Sequence, residues 1–542
     1  MEKLTAKHFC IGIMLIAFLL RLPEFLITLA YDEIWTLTNF TRLPWYELLF
    51  DLTLPNNHPL NSITVKFMTL FDFSQEYIRL PNLFAGLGSV VLAGLLGKRL
   101  AGKSGMLWSM FFMAVNAPLI VYSCQARGYG LQVFWLLLFA YSVIRSAEKV
   151  RKQIFTIFDA LIIVSSLLAV ITLSTSALYL TGIVFILWNH AKWQLPCRST
   201  VCSIIIAGVL SLVYLVLNYH DLQAARVWGT AINSASGYCN WLCGVLYEII
   251  PAGTVGLTIC YFALKRRQCV GYLLLFLLLA CSAIFTNGGP GRVYLPMCAL
   301  LAVTAGAGAG LLLEKLPKLQ HKQLLAFAFI LLAAATNFYQ MRQWSFTDYY
   351  PVLNTLDKVP ESVLTVFPAG DGYPVLYNSN GKAAEKYYNT LEARSSLTGL
   401  LLLNSPGKIN GMDKDFNEKS LPLPIQVPTE TFANVSSQIY SLHRLQSVPE
   451  SNEAIILIYR SKNETGFKEL SKLLYKSSSS CSHILILNNW FNNYTPPGRA
   501  KVYNGVWYIA PGALESNAWN ELAERFSGSV MLYRVEGSSP AR

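Results

Sequence analysis

Long apolar runs recur through the first 340 residues of the chain and do not occur after them. Each run is about 17–22 residues long, enough to cross a hydrocarbon core of ~30 Å as a helix. Charged residues make up only 14% of the 542 residues, whereas a soluble protein carries roughly 25%. The sequence therefore predicts a polytopic α-helical membrane protein with about eleven transmembrane helices, at 9–30, 82–97, 105–123, 129–145, 155–173, 175–190, 200–218, 246–264, 270–286, 293–313 and 323–339.

Basic residues are unevenly distributed among the predicted loops. With a cytoplasmic N-terminus, about seventeen lysines and arginines lie in inner loops and about six in outer loops, the outer six being Arg42, Lys66, Arg79, Arg127, Arg226 and Arg292. The positive-inside rule then predicts that the N-terminus is cytoplasmic and that the chain after Tyr339 is not. Because the charge is spread over short loops, the net charge of +12 does not indicate a nucleic-acid partner.

Two regions follow from this pattern, a transmembrane module at 1–340 and an extracytoplasmic α/β domain at 341–542. In the second region, helical patterns at 466–476 and 513–526 separate short β-rich runs. These runs lie at 362–367, 454–459, 483–487, 506–509 and 530–535.

The first outer loop, 31–81, contains two amphipathic segments at 45–50 and 60–73. They suit helices lying in the membrane interface, or they serve as simple loop anchors. The cysteines do not have the spacing of paired metal ligands, so the sequence assigns no metal site.

Several polar residues lie at the predicted outer ends of the helices. Asp32 and Glu33 follow the first helix, and His58 lies in the loop behind them. A carboxylate beside hydrocarbon is unfavourable in free energy, so it is expected there only if water solvates it or if it has a functional role. Three arginines, Arg79, Arg127 and Arg292, lie at helix ends on the same side. Each residue also has an ordinary interpretation, as an interfacial acid, a loop histidine or a snorkelling arginine.

This set of side chains fits transfer of a sugar from a membrane-anchored phosphate. Attack on an anomeric carbon requires a base for the proton of the acceptor hydroxyl, and a carboxylate can be that base. Departure of a lipid phosphate requires fixed positive charge, which arginine supplies through a planar, permanently charged guanidinium. Since phosphate leaves readily, one carboxylate together with cations is sufficient.

Five short motifs, in order along residues 9–340, carry a family resemblance. They are Tyr31-Asp32-Glu33-Ile34-Trp35, Asn57-His58-Pro59-Leu60, Arg79-Leu80-Pro81, Tyr122-Ser123-Cys124-Gln125-Ala126-Arg127-Gly128-Tyr129 and Arg292-Val293-Tyr294-Leu295-Pro296. Together they resemble motifs of C-type (GT-C) integral membrane glycosyltransferases of the protein-mannosyltransferase and aminoarabinose-transferase kind, similar to glycosyltransferase family 39.

The resemblance implies an inverting transfer from a polyprenyl-phosphate-linked sugar donor to an envelope glycan, lipid or protein. It implies that Asp32 is the catalytic base, with Glu33 beside it. It also implies donor-phosphate contacts and supporting residues, namely His58, Arg79, Arg127 and Arg292 for the phosphate, with Asn57, Gln125, Tyr129 and Tyr294 in support.

Two positions depart from the family pattern. Gln125 stands where the family often has glutamate, and Asn57-His58 stands where aminoarabinose-transferase-like members have an acidic and a basic residue near the donor phosphate. His58 could replace that cation only if it were protonated or bound to a metal. A divalent cation is therefore left open by the sequence, although no cofactor is assigned.

Two other classes of protein compete with this interpretation. A transporter or lipid flippase would place ionisable residues near helix midpoints and would show two similar halves. Arg21 and Glu24 do lie inside the first helix, at a spacing that allows them to pair, but no convincing internal repeat is present. A non-catalytic membrane anchor would not need so many helices. The sequence thus favours a glycosyltransferase of a bacterial inner membrane, surrounded by membrane lipids, with its sugar and acceptor undetermined.

Overall fold

The structure is a computed structural model that describes residues 6–54, 56–71, 75–148, 155–192, 197–225, 234–286, 289–315 and 320–339, together with seven strands between residues 364 and 534. The chain divides into two units. The first consists of residues 1–26 and 40–346, and the second of residues 27–39 and 347–542.

Helices dominate the described part of the first unit. In chain order the helices are α1 (Ala6–Leu26), α2 (Tyr31–Thr38), α3 (Trp45–Phe50), α4 (Pro59–Met68), α5 (Leu80–Ala114), α6 (Ala117–Ser123), α7 (Gly128–Ala147), α8 (Ile157–Thr172), α9 (Ser176–His190), α10 (Arg198–Leu217), α11 (Tyr219–Ala225), α12 (Ala235–Ile249), α13 (Ala252–Leu264), α14 (Cys269–Thr286), α15 (Leu295–Lys315) and α16 (Gln320–Tyr339). All of them except α2 belong to the first unit.

Six helical stretches among the described residues are long and apolar enough to cross a membrane, at Ala6–Leu26, Tyr77–Ala114, Gly128–Ala147, Arg198–Leu217, Arg266–Ala283 and Gly291–Lys315. Shorter apolar helices accompany them, among them α8 and α9. The prediction of a membrane protein is confirmed, and the predicted number of about eleven crossings stays a prediction.

The first helix ends earlier than the sequence predicts. In place of a helix over 9–30, α1 ends at Leu26 and the separate helix α2 begins at Tyr31. Asp32 and Glu33 therefore lie in the first turn of a helix instead of in the loop behind one. Negative side chains are favoured there by the helix dipole. The Glu33 carboxylate also accepts a hydrogen bond from the Ala30 amide at 2.9 Å.

The fifth helix, α5, is a hairpin of two helical arms. Ala101 and Gly102 leave helical geometry, and Gly102 has φ +63°, a left-handed conformation that glycine adopts without strain. The arms approach so closely that a Cβ added to Gly97 would lie 2.5 Å from the Gly105 carbonyl oxygen. The two arms correspond to the separate helices predicted at 82–97 and 105–123, the second of which continues into α6.

Small residues let α15 pack directly against the backbone of α5. A Cβ added to Gly306 would lie 2.2 Å from the Ser109 amide nitrogen, and one added to Gly310 would lie 2.7 Å from the Gly105 amide nitrogen. The Ser109 hydroxyl donates to the Val303 carbonyl at 2.8 Å. Close backbone approach of this kind is how helices gain packing energy in a membrane.

Helices α7 to α10 run up and down, so that their termini define two ends of the bundle. Gly128, the first residue of α7, lies so close to Thr172, the last residue of α8, that an added Cβ would be 2.8 Å from its methyl group. At the opposite terminus of α7, the Ser146 hydroxyl bonds Asp159 at the start of α8 and Thr200 at the start of α10. These are called the Gly128 end and the Ser146 end below.

Arg21 is buried inside α1 and ties it to its neighbours. Its Nε donates to the Ser123 hydroxyl at 2.9 Å, and its Nη1 donates to the carbonyls of Ala17 and Ala114 at 3.0 and 3.3 Å. These bonds run within α1 and to α5 and α6, in place of the pairing with Glu24 that the sequence suggested. A buried cation that bridges helices in this way has a structural role and does not by itself indicate transport.

The short helices α3 and α4 expose part of their apolar surface. Trp45, Tyr46, Phe50 and Phe67 are each more than 40% exposed. The loop between the two helices is fixed to the bundle, where the Leu52 amide donates to the Asp221 carboxylate at 3.0 Å. The amphipathic character is as expected from the sequence, and the position of these helices in the membrane interface stays a prediction.

The described strands of the second unit form one sheet. They are β1 (Leu364–Pro368), β2 (Leu401–Leu403), β3 (Ala454–Ile458), β4 (His483–Asn488), β5 (Lys501–Tyr503), β6 (Val506–Tyr508) and β7 (Met531–Arg534). Their order in the sheet is β2-β1-β3-β4-β7-β6-β5. The pairs β2–β1, β1–β3, β3–β4 and β7–β6 are parallel, and the pairs β4–β7 and β6–β5 are antiparallel.

The five predicted β-rich runs coincide with β1, β3, β4, β6 and β7 to within two residues, whereas β2 and β5 were not predicted. The helices predicted at 466–476 and 513–526 lie outside the described residues. The division of the chain at residue 340 and the α/β character of its second region stay predictions.

Candidate active site at the Gly128 end

His58 is buried where the first outer loop turns into α4. Pro59 occupies the first position of that helix, which suits the fixed φ of proline. The His58 side chain is 1% exposed, and its Nδ1 accepts a hydrogen bond from the Gly128 amide at 2.8 Å. An imidazole nitrogen that accepts cannot carry a proton, so in the neutral ring the proton is on Nε2. Among the described residues this Nε2 has no hydrogen-bond partner.

The His58 ring is neutral in this environment. Burial lowers its pKa well below the usual range, and the nearby positive charges of Arg127 and Arg292 lower that pKa further. The sequence allowed His58 to act as a protonated cation, and the surroundings of the ring disfavour that state. A divalent cation at His58 also fits poorly, because the Nδ1 lone pair is used by Gly128 and two guanidinium groups lie near.

Tyr129 connects the two arginines to His58. Its hydroxyl accepts a hydrogen bond from Arg292 Nε at 3.0 Å. The Arg127 guanidinium carbon lies 5.7 Å from the centre of its ring, within cation–π range. The His58 ring meets it edge to face, with centroids 4.8 Å apart. The structure therefore brings together four residues that the sequence singled out, from the N-terminal ends of α4 and α7 and from the segment before α15.

Arg127 is held by the loop that carries His58. It is 2% exposed, and its Nη1 donates to the Asn56 carbonyl at 3.2 Å and to the Asn56 side-chain oxygen. The Asn57 side chain bonds within the loop, since its Nδ2 donates to the Asp51 carbonyl at 2.6 Å and its Oδ1 accepts from the Ser62 hydroxyl at 2.7 Å. Asn57 therefore supports the loop.

Gly128 is a position where no side chain fits. An added Cβ would lie 2.9 Å from the His58 Cβ and 3.0 Å from its Nδ1. The same atom would also meet the Thr172 methyl group at 2.8 Å. The hydrogen bond that sets the His58 tautomer therefore requires glycine, because only glycine lets the α7 backbone approach the ring so closely.

Three other predicted site residues are also buried. Arg79 is fully buried, and its Nη1 donates to the Phe25 carbonyl at 2.8 Å, which satisfies the C-terminal end of α1. Gln125 is buried, and its Nε2 has no partner among the described residues. Tyr294 packs against Trp241, with ring centroids 5.7 Å apart. Contact of Arg79 with a phosphate stays a prediction.

Asp32 and Glu33 lie in the second unit. Glu33 is fully buried and caps the start of α2 through the Ala30 amide. Asp32 is half-buried, and its carbonyl accepts from the Thr36 hydroxyl at 3.0 Å. Their predicted catalytic roles remain to be tested.

Sequence reasoning missed three parts of this site. The Gly128 amide and the Asn56 side chain both act through loop geometry, which a motif does not display. Gln132, one turn into α7, was also missed; its Nε2 donates to Ser176 at 3.0 Å and to Thr175 at 3.2 Å. A polar residue three positions after Tyr129, on the same face of a helix, was the available signal.

Comparison with known proteins gives structural similarity only. No family model matches the chain, and no curated protein sequence matches it. It resembles the apo crystal structure of the Archaeoglobus fulgidus oligosaccharyltransferase, with 12% identity, a TM-score of 0.44, and coverage of 71% of this chain and 64% of that one. It also resembles the archaeal oligosaccharyltransferase AglB from Archaeoglobus fulgidus in complex with an inhibitory peptide and a dolichol-phosphate, with 12% identity, a TM-score of 0.43, and coverage of 69% of this chain and 60% of that one.

Apo ArnT from Cupriavidus metallidurans, an aminoarabinose transferase, is also similar, with 12% identity, a TM-score of 0.42 and coverage of 71% of each chain. The chain spans less than two thirds of the length of the archaeal enzyme. With TM-scores below 0.5, these similarities do not by themselves assign a family or an activity.

Proposed function

We propose that this protein is a membrane glycosyltransferase that moves a sugar from a polyprenyl-phosphate donor to an envelope acceptor on the non-cytoplasmic face. The observation that carries the proposal is the group formed by Arg127, Arg292, Tyr129 and His58. Two permanent cations and a hydrogen-bond donor are gathered at one end of a membrane bundle. A site of that composition suits an anionic oxygen group.

The chemistry divides between the cations and a base. Asp32 takes the proton from the acceptor hydroxyl, whose oxygen attacks the anomeric carbon from the face opposite the phosphate. The bond between that carbon and the phosphate oxygen breaks, and polyprenyl phosphate leaves with the electron pair. Arg127 and Arg292 stabilise the negative charge that develops on this leaving group. The sugar is transferred with inversion.

Loop charge supports placing this chemistry outside the cytoplasm. Arg127 and Arg292 belong to the sparsely basic side of the bundle, whereas the Ser146 end is densely basic, with Arg145 and Lys149 close to Ser146 in the sequence. The positive-inside rule assigns the sparse side to the exterior. The Gly128 end then faces the compartment in which envelope glycans, lipids and proteins are modified.

The first test is donor turnover by purified protein and its Asp32→Asn variant. Each is incubated with a panel of polyprenyl-phosphate sugars and an envelope extract, and mass spectrometry follows released polyprenyl phosphate. We expect the wild type to release it from one donor and the variant to be slower by about 10²–10⁴-fold, the usual contribution of a general base.

Glu47→Gln is the matched control, because Glu47 is another acid of the first outer loop and its carboxylate is engaged by the exposed Tyr46 hydroxyl. It should leave turnover unchanged. Equal release by wild type and Asp32→Asn would remove Asp32 from the role of base. Failure of the folded wild type to release polyprenyl phosphate from every donor would contradict the proposed function.

A further inference from the structure

We infer that His58 is a neutral hydrogen-bond donor, locked by the Gly128 amide into the Nε2–H form, and that this N–H binds an anionic phosphodiester oxygen between Arg127 and Arg292. The inference rests on the proposed function and specifies how its anion site is built. It makes His58 a binding residue and Gly128 a positioning residue. Neither a charged imidazole nor a metal ion is part of this arrangement.

The first step is the tautomer. Nδ1 accepts from the Gly128 amide at 2.8 Å, so the single proton of a neutral ring must be on Nε2. A protonated ring would direct an N–H at the Gly128 N–H, and a ring with its proton on Nδ1 would do the same. Both alternatives replace a hydrogen bond with a repulsive contact. The backbone of α7 therefore selects one form.

The second step is the unsatisfied donor. The Nε2 atom is buried and has no hydrogen-bond partner in the described part of the chain. Leaving such a donor without a partner destabilises the folded protein, so native proteins seldom retain one without a reason. A ligand that accepts a hydrogen bond from Nε2 would remove this penalty, and its affinity for the protein would be higher as a result.

The third step is the charge of that ligand. The charged groups that act on His58 are Arg127 and Arg292, and Tyr129 contributes the ring packed against it. Two cations around one neutral donor favour an anionic acceptor over a neutral one. A phosphodiester carries one negative charge at all working pH values and presents oxygens that only accept. It therefore matches both the charges and the direction of the donated hydrogen bond.

Two substitutions separate the roles of the two ring nitrogens. In His58→Asn the introduced side-chain amide reaches only as far as the Nδ1 position, so it can accept from Gly128 but cannot donate at the Nε2 position. The longer side chain of His58→Gln places an amide N–H near the Nε2 position and gives up the acceptor. His190→Asn, at the Ser146 end of α9 and exposed, is the control.

The measurement is the dissociation constant of purified protein for a ten-carbon prenyl methyl phosphodiester, with inorganic phosphate and the matching prenyl alcohol as separate ligands. We expect His58→Asn to weaken diester binding by about tenfold or more. His58→Gln should weaken it by no more than about threefold, and His190→Asn should leave it unchanged. Binding of inorganic phosphate with equal affinity would assign the site to free phosphate and not to a lipid headgroup.

A second measurement is the pH dependence of the same binding, because the diester itself does not titrate. A neutral His58 predicts constant affinity between about pH 6 and 8, with no effect of a chelator. Affinity that rises as the pH falls through this range would show a cationic His58 and overturn the inference. Nitrogen-15 spectra of histidine-labelled protein, with His58→Asn used for assignment, should show the proton on Nε2.

The outcomes separate this inference from the proposed function. If His58→Asn binds well and His58→Gln does not, the ring serves only to cap Gly128, and the inference is wrong. If both variants bind poorly while folded, the nitrogen spectra decide, and a proton on Nδ1 contradicts it. If the wild type does not bind the diester, the proposed function fails, and the spectra still test the tautomer.

Discussion

The two ends of α7 both gather buried polar side chains, but the group around Asp159 at one end is closed by hydrogen bonds, whereas the group around His58 at the other end is not. At the Ser146 end, the Asp159 carboxylate accepts from Ser146 and from the amide and hydroxyl of Thr156, at 2.8 and 2.9 Å for the latter two. Thr200 completes the group through Ser146 at 2.6 Å. The Ser146 bonds join the end of α7 to the starts of α8 and α10, and the Thr156 bonds cap the start of α8.

At the Gly128 end, in contrast, polar atoms are buried without partners among the described residues. They are Nε2 of His58, Nε2 of Gln125 and Oε1 of Gln132. A closed hydrogen-bond network stabilises a fold, whereas unsatisfied buried groups destabilise it and persist where function requires them. Burial of a polar residue in this membrane bundle therefore does not by itself show whether the residue stabilises the fold or serves function. The hydrogen-bond partners of its polar atoms distinguish the two cases.

The largest expected effect comes from replacing an arginine at the Gly128 end. Arg127→Lys keeps one positive charge but loses the planar guanidinium held by Asn56, and turnover of the polyprenyl-phosphate donor should fall by about 10²–10³-fold. Arg145→Lys, at the Ser146 end of the same helix, is the matched control and should change turnover by less than about twofold. Similar losses in both variants would remove the functional distinction between the two ends.

Asp159→Ala should instead reduce stability. It removes an acceptor of three hydrogen bonds and the cap of α8, at an expected cost of about 2–4 kcal/mol in the free energy of unfolding. Thermal unfolding in detergent measures this loss, and donor turnover per folded molecule should be unchanged. A variant of normal stability that fails to turn over donor would place function at the Ser146 end as well.

A smaller effect is expected for the glycine that positions His58. The added methyl of Gly128→Ala collides with the His58 ring and Thr172, and phosphodiester binding should weaken by about tenfold. Gly208→Ala in α10 is the control, because an added Cβ there meets nothing within 4 Å. That control should bind normally and gain helix stability of up to about 1 kcal/mol. Unchanged binding in Gly128→Ala would count against the role of the Gly128 amide.

The smallest effect concerns the Tyr129 hydroxyl. Tyr129→Phe keeps the ring against His58 and removes the acceptor of Arg292. A neutral-to-charged hydrogen bond is worth about 1.5–3 kcal/mol at most, and part is recovered when Arg292 binds the ligand directly. Affinity for the phosphodiester should therefore fall by only about three- to tenfold. A gain in affinity would indicate that Tyr129 competes with the ligand for Arg292.

Periodic patterns were predictable from the sequence because they depend on local physics. The two arms of α5 were placed separately by the polar, glycine-containing turn between two apolar runs, and the strand β4 was placed by its run of isoleucine and leucine. The end of α1 at Leu26 was not predicted, because apolar residues continue to Ala30 and hydropathy does not register a change of backbone direction. The strands β2 and β5 were not predicted either, because each has only three residues and so short a run shows no recognisable pattern.

The candidate site divides in the same way. His58, Arg127, Tyr129 and Arg292 could be chosen from their motifs, since a charged or polar residue beside an apolar run is conspicuous. Their meeting around one tyrosine could not, because they lie on three separate segments, and Arg292 is 163 residues from the tyrosine hydroxyl that it contacts. The sequence also left open a protonated or metal-bound His58, whereas burial of the ring and the two nearby arginines lower its pKa and favour the neutral form.

By itself, the sequence determined that this chain is a membrane protein with polar residues gathered at helix ends, because apolar length and charge position are properties of consecutive residues. The tertiary structure alone decided which of those polar residues have partners. Whether His58 has a free N–H depends on the backbone of Gly128, seventy residues away, and on two arginines that reach it from other segments. Hydrogen bonding and electrostatics act through space, so the protonation state of a buried ring is set by packing and not by the order of residues.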